Sequence, residues 1–214
     1  AHKLVERGHN VTFIAPVKAE KKNSKFHEFL PIGVEQQYKS MLTGIGDVGF
    51  PDRMKNKYAN FMTEIRTLLD FQTISCEAVF SSPDFRPWVE SSHFDIIFLS
   101  HAGNKCGYAL AHKYNASVIV MSASSFFLAE EDTLGFPLES SWLRRFHLPN
   151  LFTDMGFADR VFNVLNPLYF HFYATWLVYP RMDKLIQGFF QDETIPPLEE
   201  LERTHTALFF INQH

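Results

Sequence analysis

The chain has 214 residues, of which 46% are hydrophobic, 21% charged and 15% aromatic, and it carries only 2 cysteines. This composition excludes a disordered chain, a collagen and a disulfide scaffold, and the length fits one large globular domain. The net charge is −4 with acidic and basic residues interspersed, which excludes a nucleic-acid-binding surface.

The order of helical and apolar patterns predicts an α/β fold. The chain opens with a short helix that ends at Gly8, and the apolar run Val11–Ala15 follows as a strand. Strands that are continuous apolar runs, separated by helices, predict a doubly wound, Rossmann-like parallel sheet covered on both faces. The remaining predicted elements are a polar stretch, helices from about Met54 to Ser91, a strand at Phe94–Leu99, a helix at Asn104–Tyr114, a strand at Ser117–Met121, helices from about Phe157 to Phe190 and a strand at Ala207–Ile211.

The two ends of the pattern predict an incomplete domain. A helix that opens an α/β chain should follow a strand, and the chain starts at Ala1 without a methionine. We therefore expect residues 1–214 to form one domain that lacks its first strand. The most apolar segment, Val161–Tyr179, contains Asn166 and Pro167, and it predicts a core helix pair with aromatic faces, with His171 in the interior, and not a membrane span.

A literal GxGxxG stands at Gly44–Gly49, but no apolar strand precedes it and Pro51 follows closely. We interpret it as a surface loop and not as a dinucleotide-binding turn. Cys76 and Cys106 fit no metal-ligand spacing, and we interpret them as two buried or half-buried thiols. The sequence shows no spacing typical of a metal site.

Candidate site residues follow the two central strands, where ligands bind in open parallel sheets. His101 comes directly after the first of them and is the best candidate for a catalytic or substrate-contacting group. Ser122 and Ser124 end the next strand, and they predict either a pocket wall or an ordinary turn. Phe126 and Phe127 follow and would add an apolar wall.

Four stretches together resemble the UDP-glycosyltransferase family, the UDP-glucuronosyltransferases and their arthropod relatives. They are LVERGHNVTFIAP near the start, FDIIFLS with GYALAHKYNASVIVMS, LPNLFTDMGFADRVFNVL, and IPPLEELERTHTALFFINQH at the end. The resemblance implies the N-terminal, acceptor-binding domain of a two-domain GT-B enzyme. A C-terminal domain, which would follow His214, would hold the UDP-sugar, so no cofactor is expected on this chain.

The resemblance also implies the reaction. A hexosyl group, glucose or glucuronate, passes with inversion from the UDP-sugar to a hydroxyl of a small lipophilic acceptor, as in detoxification. The general base would be a histidine preceding Ala1. The implied location is the lumenal side of the endoplasmic reticulum membrane, with attachment through segments outside this chain, and homo-oligomerisation stays open.

One position departs from the family pattern. The acid that orients the base histidine in the family corresponds to Ser100, whose hydroxyl accepts a hydrogen bond but carries no charge. Asp95 is no substitute because it lies at the start of the strand. Either His101 or a carboxylate other than Asp95 helps to orient the base, or the protein is a catalytically silent member that binds hydrophobic small molecules.

Overall fold

The computed structural model describes residues 2–18, 26–47, 61–100, 103–122, 134–135 and 155–211. Most of its helices and strands lie where the apolar patterns predict them. In chain order they are α1 (His2–Glu6), β1 (Val11–Ile14), β2 (Phe26–Phe29), α2 (Val34–Asp47), α3 (Phe61–Phe80), α4 (Phe85–Ser91), β3 (Ile96–Ser100), α5 (Gly107–Tyr114), β4 (Ser117–Ser122), α6 (Phe157–Tyr173), a π-helical segment (Ala174–Val178), α7 (Tyr179–Phe190), α8 (Leu198–His205) and β5 (Thr206–Ile211).

All pairings between the described strands are parallel, as predicted, but the strands form two sheets. One sheet pairs β1 with β2, and the other has the order β3-β4-β5. The strand β2 and the helix α2 were both missed, because they lie in a stretch whose polar composition predicts neither. The register between β4 and β5 shifts beside Val118 and Ile119.

The three-stranded sheet has one buried face and one exposed face within the described residues. Leu99, Val118 and Val120 point into the core, where α5 contacts both β3 and β4. On the opposite face Phe98 and Met121 are about half exposed. The predicted α/β fold with parallel strands is confirmed, while the face that the described helices cover could not be read from a continuous apolar run.

Turn chemistry explains how the helices end. Gly8 has a φ of +94°, which an L side chain rarely adopts, so it ends α1 as predicted. Asn115 ends α5 in the left-handed conformation, with a φ of +52°, and its N–H donates to main-chain carbonyls of the last turn. Asn115 therefore serves as the residue that ends α5 and leads the chain into β4.

Several phenylalanines lie in the core between α3, α4, α7 and β2. Phe80 stacks on Phe189 with ring centroids 4.4 Å apart, and Phe29 stacks on Trp88 at 4.6 Å. Phe85 is almost fully buried between these pairs. These rings stabilise the fold and are not available to a ligand.

Two local predictions are corrected by the structure. The glycine-rich stretch was predicted to be a surface loop, but its described part is helical, because α2 continues through Gly44 and Gly46 to Asp47. Amide groups inside a helix are already hydrogen-bonded, so they cannot cradle a pyrophosphate. His171 is exposed on α6 and is not an interior histidine.

Candidate functional site

The carboxyl ends of β3 and β4 form the edge at which the sequence predicts the site. Ser100 is the last residue of β3 and lies opposite Met121, so Ser122 is one residue further along the same edge. The structure brings these two serines to one edge but not to one face. Ser122 shares the buried face with Val120, whereas Ser100 shares the exposed face with Met121.

The other predicted site residues are His101, Ser124, Phe126 and Phe127, and they lie outside the described residues. Their roles stay predictions. Asp95 precedes β3, where its carbonyl accepts from the Ser117 N–H at 3.2 Å, so it lies at the opposite end of the strand from Ser100.

The chain between β3 and α5 approaches its neighbours closely. Gly103 has a φ of +78°, and a Cβ there would clash with the ring of Phe71 on α3. The Asn104 amide donates to the carbonyl of Ser100 at 3.3 Å. This backbone therefore turns back onto the end of β3.

A disulfide between Cys76 and Cys106 fixes the same segment to α3. The two Cα atoms are 5.8 Å apart, a usual separation for a disulfide. The prediction of two free thiols is wrong, since the fold brings together residues whose spacing along the chain gave no sign of contact.

A buried ion pair between Lys105 and Glu202 was also missed. The Lys105 Nζ lies 2.8 and 3.0 Å from the two carboxylate oxygens of Glu202, and the side chains are 3% and 2% exposed. The same Nζ lies 5.6 Å from the ring centroid of Tyr179. This pair joins the segment after β3 to α8, and because its two residues lie 97 positions apart the local sequence did not indicate it.

Helix α8 is itself held at both ends. The Asp183 carboxylate accepts from the Leu198 N–H at 2.8 Å, and burial raises the pKa of this carboxyl although that hydrogen bond opposes the shift. At the other end, Thr206 Oγ1 donates to the carbonyl of Glu202 at 2.6 Å, and it lies 3.0 Å from the hydroxyl of Tyr108 on α5.

A small cavity of about 10 Å³ lies where these groups meet, and it can hold about one water molecule. The Glu202 carboxylate beside this cavity is engaged in the ion pair with Lys105. The residues lining the cavity are Leu99, Ser100, Asn104, Lys105, Tyr108, Val120 and Glu202.

Two negative findings concern the described residues. Within these ranges, no three His, Cys, Asp or Glu side chains gather as metal ligands. Likewise, no described helix combines the length and apolar character needed to cross a membrane.

Two comparisons with known proteins show what this chain is similar to. A family model described as UDP-glucoronosyl and UDP-glucosyl transferase matches residues 1–209. The human UDP-glucuronosyltransferase 2B15 is 26% identical over 181 residues, which are 79% of this chain and 34% of that protein, so the chain spans about a third of the relative's length. No solved structure matches significantly.

The family match extends over nearly every described element, from α1 into β5. The parallel strands and flanking helices are those of a Rossmann-like domain, and the family implies the GT-B arrangement. With the fold and the four sequence stretches in agreement, the chain belongs to the UDP-glucuronosyl and UDP-glucosyl transferase family.

Proposed function

We propose that the protein transfers a hexosyl group from a UDP-sugar to a hydroxyl of a small lipophilic acceptor, and that residues 1–214 form its acceptor-binding N-terminal domain. The observation that carries the proposal is the family match over residues 1–209. It is supported by the convergence of β3, β4 and the segment after β3 at one sheet edge.

The reaction exchanges one bond at the anomeric carbon for another. The acceptor oxygen attacks this carbon from the face opposite UDP, the bond to the UDP oxygen breaks, and UDP leaves with that electron pair. The acceptor proton passes to a base, which the resemblance assigns to a histidine outside residues 1–214. Attack from the opposite face inverts the anomeric configuration.

The rigidity of the edge supports this role. A hydroxyl acceptor reacts only when it is held close to the anomeric carbon and aligned with it. The segment 103–106 is joined to α3 by the disulfide and to α8 by the buried ion pair, so the end of β3 has little freedom to move. Apolar walls for the acceptor would come from Phe126, Phe127 and the helices from Phe157 to Trp176.

The experiment is a transfer assay on the full-length protein. UDP-glucose or UDP-glucuronate labelled in the sugar is incubated with 1-naphthol, and the labelled naphthyl glycoside is measured together with its anomeric configuration. We expect a product of β configuration from the α-linked donor. Absence of transfer with both donors, in protein shown to be folded, would contradict the proposal.

A second candidate function rests on Ser100. A serine at this position cannot stabilise the imidazolium that forms when a base histidine takes the acceptor proton, so the protein could bind hydrophobic molecules without turnover. Replacing Ser100 by Asp separates the two functions. A rise in kcat indicates an intact but weakly supported site, whereas unchanged 1-naphthol binding without turnover favours a silent binding protein.

A further inference from the structure

Two asparagines stand in the acceptor pattern of N-linked glycosylation, which is Asn-x-Ser or Asn-x-Thr. They are Asn10, in the stretch NVT, and Asn115, in the stretch NAS. The pattern by itself is a weak indication, because asparagine is also common in turns. A modified asparagine must in addition have an accessible side chain and lie in a compartment where the transfer takes place.

Both asparagines lie on the surface just before a strand. Asn10 directly precedes β1, and Asn115 ends α5 two residues before β4. Each of them is exposed, and so are residues 6–9 before the first and residues 112 and 113 before the second. A bulky, hydrophilic oligosaccharide at either position would therefore extend into solvent.

The fold uses the backbone of Asn115 and not its side chain. The Asn115 N–H donates to main-chain carbonyls of the last turn of α5, and the Ala116 N–H donates to the carbonyl of Ala111 at 2.9 Å. Among the residues that the structure describes, no hydrogen bond involves the side-chain amide of Asn115 or that of Asn10. Ending the helix is therefore compatible with carrying an oligosaccharide on the same residue.

The disulfide between Cys76 and Cys106 indicates the compartment. Both cysteines are buried, with 1% and 8% of their surface exposed. Structural disulfides form in oxidising compartments such as the lumen of the endoplasmic reticulum, and they are rare in the cytosol. N-linked transfer takes place in that same lumen, so the bond and the two acceptor patterns indicate one location.

We propose that Asn10 and Asn115 carry N-linked oligosaccharides, added in the lumen of the endoplasmic reticulum. The side-chain amide nitrogen attacks the first sugar carbon of an oligosaccharide that is linked to a lipid diphosphate. The new nitrogen–carbon bond replaces the bond from this carbon to the diphosphate oxygen, and the lipid diphosphate leaves with that electron pair. The amide proton passes to a base of the oligosaccharyltransferase.

This inference goes beyond the proposed sugar transfer, because here the chain receives a sugar from another enzyme. From Ser117 to Ser122, β4 is about 16 Å long at the rise per residue of a strand. An oligosaccharide on Asn115 would therefore lie at the end of the sheet opposite to the edge at Ser100 and Ser122. It would leave the proposed acceptor site open.

The test is peptide mass spectrometry on the full-length protein, expressed in cultured mammalian cells. Peptide-N-glycosidase F, used in heavy-oxygen water, releases an N-linked oligosaccharide and leaves an aspartate that contains heavy oxygen. Trypsin cleaves after Arg7 and after Lys113, so the two asparagines are found in separate peptides. A portion kept in the same water without the glycosidase measures spontaneous deamidation.

We expect heavy-oxygen aspartate at positions 10 and 115 only after glycosidase treatment. Ser117→Ala should abolish the signal at position 115, whereas the matched variant Ser117→Thr should keep it, because threonine also completes the pattern. Both variants retain the asparagine that ends α5. Thr12→Ala and Thr12→Ser form the same pair for position 10.

Two kinds of result would overturn the proposal. An unmodified Asn10 or Asn115, in folded protein whose disulfide is intact, would contradict it for that position. Heavy-oxygen aspartate that persists in Ser117→Ala or Thr12→Ala, or that forms equally without the glycosidase, would show deamidation and not glycosylation. None of these outcomes depends on whether the protein itself transfers a sugar.

Discussion

Replacing Glu202 by Gln should destabilise the protein by about 3–5 kcal/mol, because it leaves the Lys105 ammonium buried without its counter-charge. Both side chains are almost fully buried, and the Nζ contacts both carboxylate oxygens at 3.0 Å or less. The assay is urea unfolding at pH 7, followed by circular dichroism with the disulfide kept oxidised. The expected result is a lower midpoint without a change in slope.

Two further variants sharpen this test. Glu35→Gln breaks an ion pair of 2.6 Å to Lys39 that is 66% and 55% exposed, and it should change the stability by less than about 0.5 kcal/mol. Replacing the buried pair together, Lys105→Met with Glu202→Leu, should restore most of the stability lost in Glu202→Gln. A Glu202→Gln protein within about 1 kcal/mol of wild type would refute the reasoning, since the lysine would then have another source of solvation.

Three further predictions concern stability. Replacing Cys76 and Cys106 together by Ala should lower the free energy of unfolding in urea by about 4 kcal/mol, because the disulfide closes a loop of 30 residues and so lowers the entropy of the unfolded chain. An unchanged midpoint would show that the disulfide does not form. Gly107→Ala should lower the free energy of unfolding by about 1–3 kcal/mol, because the added Cβ would clash with Leu99 of β3. Gly188→Ala should raise it by about 0.5–1 kcal/mol, because a Cβ at this position in α7 meets no other atom. Burial raises the pKa of Tyr114 to about 12, so the unfolded chain loses this proton at a lower pH than the folded chain. The free energy of unfolding should therefore fall by up to about 2 kcal/mol between about pH 10 and 12. Unfolding curves of Tyr114→Phe measured in this alkaline range should not show this loss.

The sequence predicts the central elements well because their signals are local. The apolar runs at Phe94–Leu99, Ser117–Met121 and Ala207–Ile211 correspond to β3, β4 and β5, whose parallel pairing is confirmed. The glycine after α1 and the helices between Phe157 and Phe190 are also confirmed. Each of these predictions depends on residues within a few positions of one another.

The missed features depend on contacts between distant residues. The disulfide joins positions 30 apart, and the buried ion pair joins positions 97 apart, so neither has a local pattern. The segment Val161–Tyr179 was predicted as a core helix pair, yet Phe172 and Trp176 are exposed, because an apolar composition does not say which face of a helix is buried. The sequence correctly places Ser100 and Ser122 at one edge of the sheet. It does not show that they lie on opposite faces, because that depends on the register between β3 and β4.

We propose that the acceptor binds at the carboxyl edge of the β3-β4-β5 sheet. A photoactivatable azidophenol acceptor, incubated with the full-length protein and UDP and then mapped by peptide mass spectrometry, tests it most directly. We expect labelling in the segments that follow Ser100 and Ser122, and we expect 1-naphthol to abolish it by competition. Labelling confined to the opposite end of the strands, around Asp95 and Ser117, would contradict the claim.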